Sequence, residues 1–297
     1  MITAGTKEWC EEPGGEISGG VGLTALMVAA ARAIETHRPD ALARDEYAEH
    51  FVRAAPASAS WPVHPREVPD GDANPLWGRL GRYFGLRTRV LDDVVLDAGN
   101  RQMVLLGAGL DTRAFRLDWP PGSVVYELDK PGVLAFKQEV LDAVGARPRT
   151  TRRTIPADLS TDWAGLLGEF RLDEPTTWVV EGLLLYLSAD AERHLIEIMD
   201  RLSAPGSTIV YEIKPIRDLA LARDHPIYTS TKTQIGIDLL ALFDLGRRPD
   251  SAAALSSRGW TTRVHTPFDF TRRHGRGPLP DPPHDALESN RWVIATK

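Results

Sequence analysis

The chain is almost without cysteine: of 297 residues, only Cys10 carries a thiol. An intrachain disulfide is impossible and a cysteine-rich metal site is excluded. Cys10 lies in a polar, glycine-rich start and reads as a bystander. Long apolar runs are missing too. Val21 to Ala31 stops at Arg32 and is too short to span a bilayer. No basic segment precedes it, as a signal peptide requires. The expectation is a cytoplasmic protein without a membrane partner. No lysine- or arginine-rich block occurs and the net charge is −6, so no nucleic-acid partner is expected. The histidines are dispersed, with no His-x-x-x-His pair, and no metal centre is expected. No Gly-x-Ser-x-Gly elbow is present. Oligomeric state is not legible.

What is present suffices for one large core, with 42% hydrophobic residues. Residues 1–20 read as a flexible arm and 21–297 as one domain. Ala25, Val28, Ala29, Arg32 and Ala33 fall at helical spacing. Pro39 breaks that helix, and a second is expected over 40–55. Prolines at 56, 62, 65, 69 and 75 mark a loop. A helix over 81–99 leads into the first strand. Strands are then expected at 102–109, 123–129, 151–159, 176–187 and 206–214. They alternate with helices at 131–144, 162–170 and 190–203, the last opened by Ser188 or Asp190. Residues 216–256 read as a mostly helical insertion, and 261–270 and 289–297 as closing strands. Such alternation gives an α/β fold with a parallel sheet wrapped on both faces. The helical segment 21–85 would form a lid and 216–256 a substrate cap, over the carboxyl edge of the sheet where such folds bind ligands.

The chemistry concentrates in "VLLGAGLDTRAFRLDWPPGSVVYELDKP", Val104 to Pro131. Gly107 and Gly109, around Ala108, allow a sharp turn and close approach of a ligand to backbone. Glu127 and Asp129 close the second strand, and a carboxylate there can accept both hydroxyls of a ribose. Alternation puts the two acids on one face and leaves the choice open; one could instead cap the helix at Pro131. A dinucleotide fingerprint wants a third glycine, and Leu110-Asp111-Thr112-Arg113 supplies none. Asp111 would repel a pyrophosphate unless Arg113 compensates; Arg113 could equally pair with Asp111 or Asp118. An acid here suits a ligand with a cationic end, such as the ammonium and sulfonium of S-adenosylmethionine.

"GAGLDTRAFRL" and "VVYELDKPGVLAFK", with "TALMVAAARAIETHRP" upstream, resemble the S-adenosylmethionine-dependent methyltransferases of the leucine carboxyl methyltransferase-like family, and within it the actinobacterial small-molecule O-methyltransferases. The resemblance runs from about residue 21 to the C-terminus. It implies a class I (Rossmann-like) methyltransferase fold: a seven-stranded, mostly parallel sheet with an antiparallel last strand and a terminal hairpin near 262–268 and 290–296. It implies that Gly107, with Ala108 and Gly109, lies under the methionine part of the cofactor and that Asp129 binds its ribose. Asp158 and Leu159 would flank the adenine, Glu181 would end the fourth strand beside the active site, and Arg89, two residues from Arg87, would grip the cofactor carboxylate. The N-terminal lysine of eukaryotic members has no counterpart; Lys7 is the only lysine before the sheet. Outside the resemblance, Asp158 could be an N-cap near Trp163, and Glu181 could be a buried carboxylate paired with Arg89.

The expected activity is methyl transfer to a carboxylate or hydroxyl of a small metabolite, such as a natural product. A carboxylate is ionised near neutrality and needs no base. It would want cations or hydroxyls, for which Arg217, Arg223, Tyr228 and Lys232 are candidates. A hydroxyl acceptor would want a base such as His225. His194 reads as structural. The alternatives are an NAD(P)-dependent oxidoreductase, against which the missing third glycine speaks, and a non-catalytic cofactor-binding module.

Overall fold

A computed structural model of the chain describes residues 17–214, 225–278, 287 and 290–297. The central sheet contains β1 (Gln102–Leu106), β2 (Val124–Asp129), β3 (Thr151–Pro156), β4 (Thr176–Val180), β5 (Thr208–Ile213), β6 (Thr261–His265) and β7 (Arg291–Thr296). Their order is β3-β2-β1-β4-β5-β7-β6. The first five run parallel, and β7 is antiparallel to both β5 and β6. Every residue of β1 and β4 is buried. Met103 and Leu105 join Val125, Val179 and Val210 in one core; Val104 and Leu106 join Trp178, Val180 and Ile209 in another. Helices cover both faces, which is why these strands read as continuous apolar runs. The edge strands β3 and β6 are largely exposed and carry Arg152, Arg153 and Arg263, charges that discourage edge-to-edge pairing.

The first core lies under α1 (Gly20–Thr36), α2 (Ala48–Ala54), α3 (Trp77–Ala98) and α5 (Pro131–Ala143); the short α4 (Arg113–Arg116) follows the glycine turn. Small residues let α1 and α3 meet closely. Ala30, Ala31 and Ala33 are buried on α1, and a Cβ on Gly85 of α3 would lie 2.5 Å from the Glu35 side chain. The second core lies under α6 (Ala189–Arg201) and α9 (Ser251–Ser257). Between β5 and α9 come α7 (Pro226–Gln234) and α8 (Leu239–Leu242), and α10 (Pro267–His274) follows β6. Among the described residues, no helix is long and apolar enough to cross a membrane.

Several boundaries differ from expectation. Residues 40–47 are not helical, because side chains capture their backbone N–H groups. Leu42 N donates to Glu35 Oε1 at 2.7 Å and Asp45 N to Thr36 Oγ1 at 2.8 Å. Only a 3₁₀ turn, Ala164–Leu167, forms where a helix over 162–170 is expected. The strand from 261 stops at His265, because Thr266, Pro267 and Asp269 make a capping box with proline in the first turn and start α10. Residues 1–16 of the expected arm, including Lys7 and Cys10, and 215–224 of the insertion, including Arg217 and Arg223, lie outside the described residues.

Candidate active site

The carboxyl ends of β1, β2, β4 and β5 open into a cavity of about 690 Å³. That size suits a small-molecule site. Its polar floor begins at the turn after β1. Gly107 and Gly109 have φ of +71° and +46°, values that side chains rarely adopt. Gly107 N and Ala108 N donate to Leu128 O, both at 3.0 Å, and Gly109 N donates to Asp129 Oδ2 at 2.6 Å. A Cβ on Gly107 would stand 3.2 Å from Leu183, so the absent side chain lets Leu183 pack against the turn. Lys130 N donates to Asp129 Oδ1 at 2.7 Å. Burial raises the Asp129 carboxyl above its usual range, against these two N–H groups.

Asp129 and Glu127 share a face but not a role. Asp129 lines the cavity. Glu127 is fully buried, held by Lys137 Nζ and Arg152 Nη2, each at 2.8 Å. Asp158 and Leu159 line the same end. Asp158 accepts from Ser160 N at 2.9 Å and Ser160 Oγ at 2.6 Å, which lowers its pKa. Leu159 is buried.

From Glu181 the floor becomes a row of alternating charges. Glu181 Oε1 pairs with Arg87 Nη2 and Oε2 with Arg113 Nη1, both at 2.9 Å. Burial alone would raise this carboxyl, but Arg87, Arg113 and Arg32 outweigh it and hold its pKa down at about 2. Arg113 also reaches Asp92 at 2.8 Å and contacts Asp111. Arg87 Nη1 pairs with Glu212 Oε2 at 2.7 Å, and its guanidinium lies 4.4 Å from the centre of the Phe84 ring. Tyr83 Oη donates to Glu212, Asn290 Nδ2 donates to Tyr83 Oη at 2.6 Å, and Lys214 Nζ donates to Asn290 Oδ1 at 2.9 Å. Arg32 anchors the turn, donating to Leu110 O at 2.6 Å and to Asp45 Oδ2 at 2.9 Å.

The expected residues thus divide. Gly107, Ala108, Gly109, Asp129, Asp158, Leu159, Glu181 and Tyr228 line one cavity. Arg89 does not: its side chain is 47% exposed and paired with Asp93 at 2.9 Å. Arg87 lines the cavity instead. A helix turns about 200° over two residues, so the two arginines point to opposite sides. His225 is not on the cavity wall. It caps α7, its Nδ1 accepting from Ile227 N at 3.2 Å. Lys232 faces outward, 68% exposed, and pairs with Asp238. His194 is exposed on α6. Sequence reading named Arg87 only as the neighbour of the chosen Arg89, and missed Tyr83, Glu212, Lys214 and Asn290. Leu80, Tyr83, Phe84 and Arg87 share the buried stripe of α3, a helical spacing that could have selected Arg87 over Arg89. Glu212 and Lys214 continue the alternation from Val210. Among the described residues, no cluster of three or more His, Cys, Asp or Glu is arranged to hold a metal ion.

The seven-stranded, mostly parallel sheet with an antiparallel β7 is the fold of the class I S-adenosylmethionine-dependent methyltransferases. The leucine carboxyl methyltransferase family matches residues 25–200, and the chain belongs to that family. A Streptomyces coelicolor relative carries the provisional name S-adenosyl-L-methionine-dependent methyltransferase. It is 62% identical over 287 residues, covering 95% of this chain and 94% of that one. A Saccharopolyspora erythraea relative with the same provisional name is 43% identical, covering 95% and 97%. Among solved structures, a provisionally described methyltransferase from Thermobifida fusca superposes with a TM-score of 0.52 at 17% identity, covering 98% and 99%. A DUF574 family protein from Streptomyces avermitilis gives 0.50 at 15%, covering 90% and 99%. These two are likenesses of fold. The family does not favour the oxidoreductase alternative.

Proposed function

We propose that the chain methylates an oxygen of a small metabolite, and that this oxygen belongs to a carboxylate on an otherwise apolar body. The observation that carries the reading is the cavity wall. One end offers bare backbone and acids; the other offers Leu80, Phe84, Ile227, Leu239 and Phe243. Among the described lining residues there is no histidine. Glu181 and Glu212 are engaged by Arg87 and Arg113, so each of these carboxylates is already paired with a cation. A carboxylate acceptor, ionised above about pH 4, asks for no base.

S-adenosylmethionine, when bound, supplies an electrophilic methyl on a positively charged sulfur. The bare backbone turn at Gly107–Gly109 on the cavity wall, and the acids around it, fit that group. Asp129 would accept the ribose hydroxyls, Asp158 and Leu159 would bracket the base, and Glu181 with Arg87 would hold the amino-acid end. The apolar wall around residues 226–243 would cap the acceptor and exclude water. Positioning of this kind is worth roughly 7–11 kcal/mol in favourable cases.

The test uses cofactor labelled in the methyl group with a panel of aliphatic and aromatic acids and matched alcohols and phenols. Label in base-labile esters is expected. Label confined to base-stable ethers would overturn the carboxylate reading.

A further inference from the structure

Two segments close on the glycine turn after β1. Leu183, at the exit of β4, would meet a Cβ on Gly107 at 3.2 Å, and Ala25 of α1 would meet one on Gly109 at 3.9 Å. The two segments are also tied to each other. Tyr186, on the 3₁₀ turn Leu184–Tyr186, donates from Oη to Thr24 Oγ1 at 3.3 Å. Thr24 precedes Ala25 in α1, and Leu183 stands three residues before Tyr186. Tyr186 and Thr24 both line the cavity. The phenol oxygen therefore lies at the same end of the cavity as Gly107 and Gly109, joined on each side to a segment that touches the turn. On the apolar wall, the ring of Phe243 packs on Tyr186 with its centre 5.8 Å away.

The hydrogens of this pair have a definite direction. Thr24 Oγ1 donates its own hydrogen to Val21 O at 2.6 Å, so towards Tyr186 it acts as acceptor. The phenol O–H is thereby turned to Thr24, and what Tyr186 offers to the cavity is oxygen lone pairs. Burial raises its pKa above the usual phenol value, so the group stays a neutral phenol, a poor nucleophile. Lone pairs repel a carboxylate and suit an electropositive partner. A methyl group on a sulfonium is such a partner, because the positive sulfur polarises its C–H bonds, and C–H···O contacts are weak hydrogen bonds. The thioether left after transfer has neither that methyl nor the charge.

We propose that Tyr186 Oη, oriented by Thr24, accepts C–H···O contacts from the sulfonium methyl and makes the cavity prefer S-adenosylmethionine over S-adenosylhomocysteine. The proposal rests on the placement of the cofactor's amino-acid end at the glycine turn, and adds the residue that marks where its methyl lies.

The test uses calorimetry with S-adenosylmethionine and S-adenosylhomocysteine, and proton NMR of bound cofactor isotope-labelled in its methyl group. Contacts of this kind are worth about 2- to 5-fold in affinity. Tyr186→Phe keeps the ring and its packing on Phe243 and removes only the oxygen. It should lower the ratio of S-adenosylmethionine to S-adenosylhomocysteine affinity by that factor, with S-adenosylhomocysteine affinity unchanged. The bound methyl proton resonance should move upfield in the same variant, because the contact that deshields it is gone. A hydroxyl that only ties α1 to the exit of β4 would instead weaken both ligands together and leave the resonance in place. That pattern, either readout unchanged in Tyr186→Phe, or no binding of S-adenosylmethionine by the wild type overturns the proposal. If Tyr186→Phe does not fold, Thr24→Val removes the acceptor of the phenol O–H and lets it turn into the cavity. The ratio should fall there too, and an unchanged ratio overturns the proposal. The two readings fail separately. Unchanged affinity for both ligands in Asp129→Ala sinks the cofactor placement. Affinity lost for both ligands in Asp129→Ala, with a ratio indifferent to position 186, sinks the Tyr186 assignment alone.

Discussion

Arg87 stands between Glu181 and Glu212 on the cavity floor, and its removal would leave Glu212 buried with Tyr83 and Trp292 as its donors. Breaking one member of a buried charge set costs about 3–5 kcal/mol. Arg87→Leu should lose that much stability in urea denaturation, and cofactor affinity with it. Arg89→Ala, at an exposed site, should stay within about 0.5 kcal/mol and leave cofactor affinity unchanged. Asp129→Ala should weaken S-adenosylmethionine binding by about 1–3 kcal/mol, read by calorimetry on the folded variant. The pH dependence has a definite sign. Ribose hydroxyls donate to the ionised carboxylate, so binding favours the deprotonated form. Burial raises the Asp129 pKa; affinity should fall on acidification through that titration, and a flat profile in the wild type would contradict the assignment. The Glu181 pKa is shifted in the opposite direction, and that shift bears on stability. Its folded pKa is depressed from 4.5 to about 2. The stability it contributes is therefore fully present above about pH 4.5 and lost as pH falls towards 2. Replacing Glu181 by Gln should flatten acid unfolding in that window.

The elements were legible where local pattern and burial agree. β1 and β4 announce themselves as apolar runs because both faces are covered. α6 has its apolar stripe and its cap: Ser188 Oγ, not Asp190, accepts from Ala191 N at 3.2 Å. Ser188→Ala should cost about 1 kcal/mol of stability in denaturant unfolding. Legibility failed where a side chain elsewhere decides the backbone. Glu35 and Thr36 take the N–H groups of Leu42 and Asp45 and stop a helix that propensity allows. His225 reads as a base by composition, yet its Nδ1 is spent at the start of α7.

For the whole molecule, a ligand that binds only the folded state stabilises it by about 2.7 kcal/mol at a concentration of 100 Kd. S-adenosylhomocysteine should therefore raise the melting temperature in a concentration-dependent way, while NAD should not. An equal shift with NAD would reverse the choice of cofactor. One continuous cavity spans the carboxyl ends of β2, β1, β4 and β5.

The sequence by itself determined the alternating α/β order, the glycine turn at 107–109 and the acid that ends β2, because each is a local demand of backbone geometry or of periodicity. It also held the family likeness, spread over the same stretch. Only the tertiary structure decided that Asp129 and not Glu127 meets the cavity, that Arg87 and not Arg89 faces it, and that Asn290 reaches Lys214 and Tyr83. Glu127 and Asp129 share a strand face, and what separates them is the arrival of Lys137 and Arg152 from other elements. The charge row from Asp92 to Lys214 draws on α3, the turn after β1, β4, β5 and the start of β7; no window of sequence contains it.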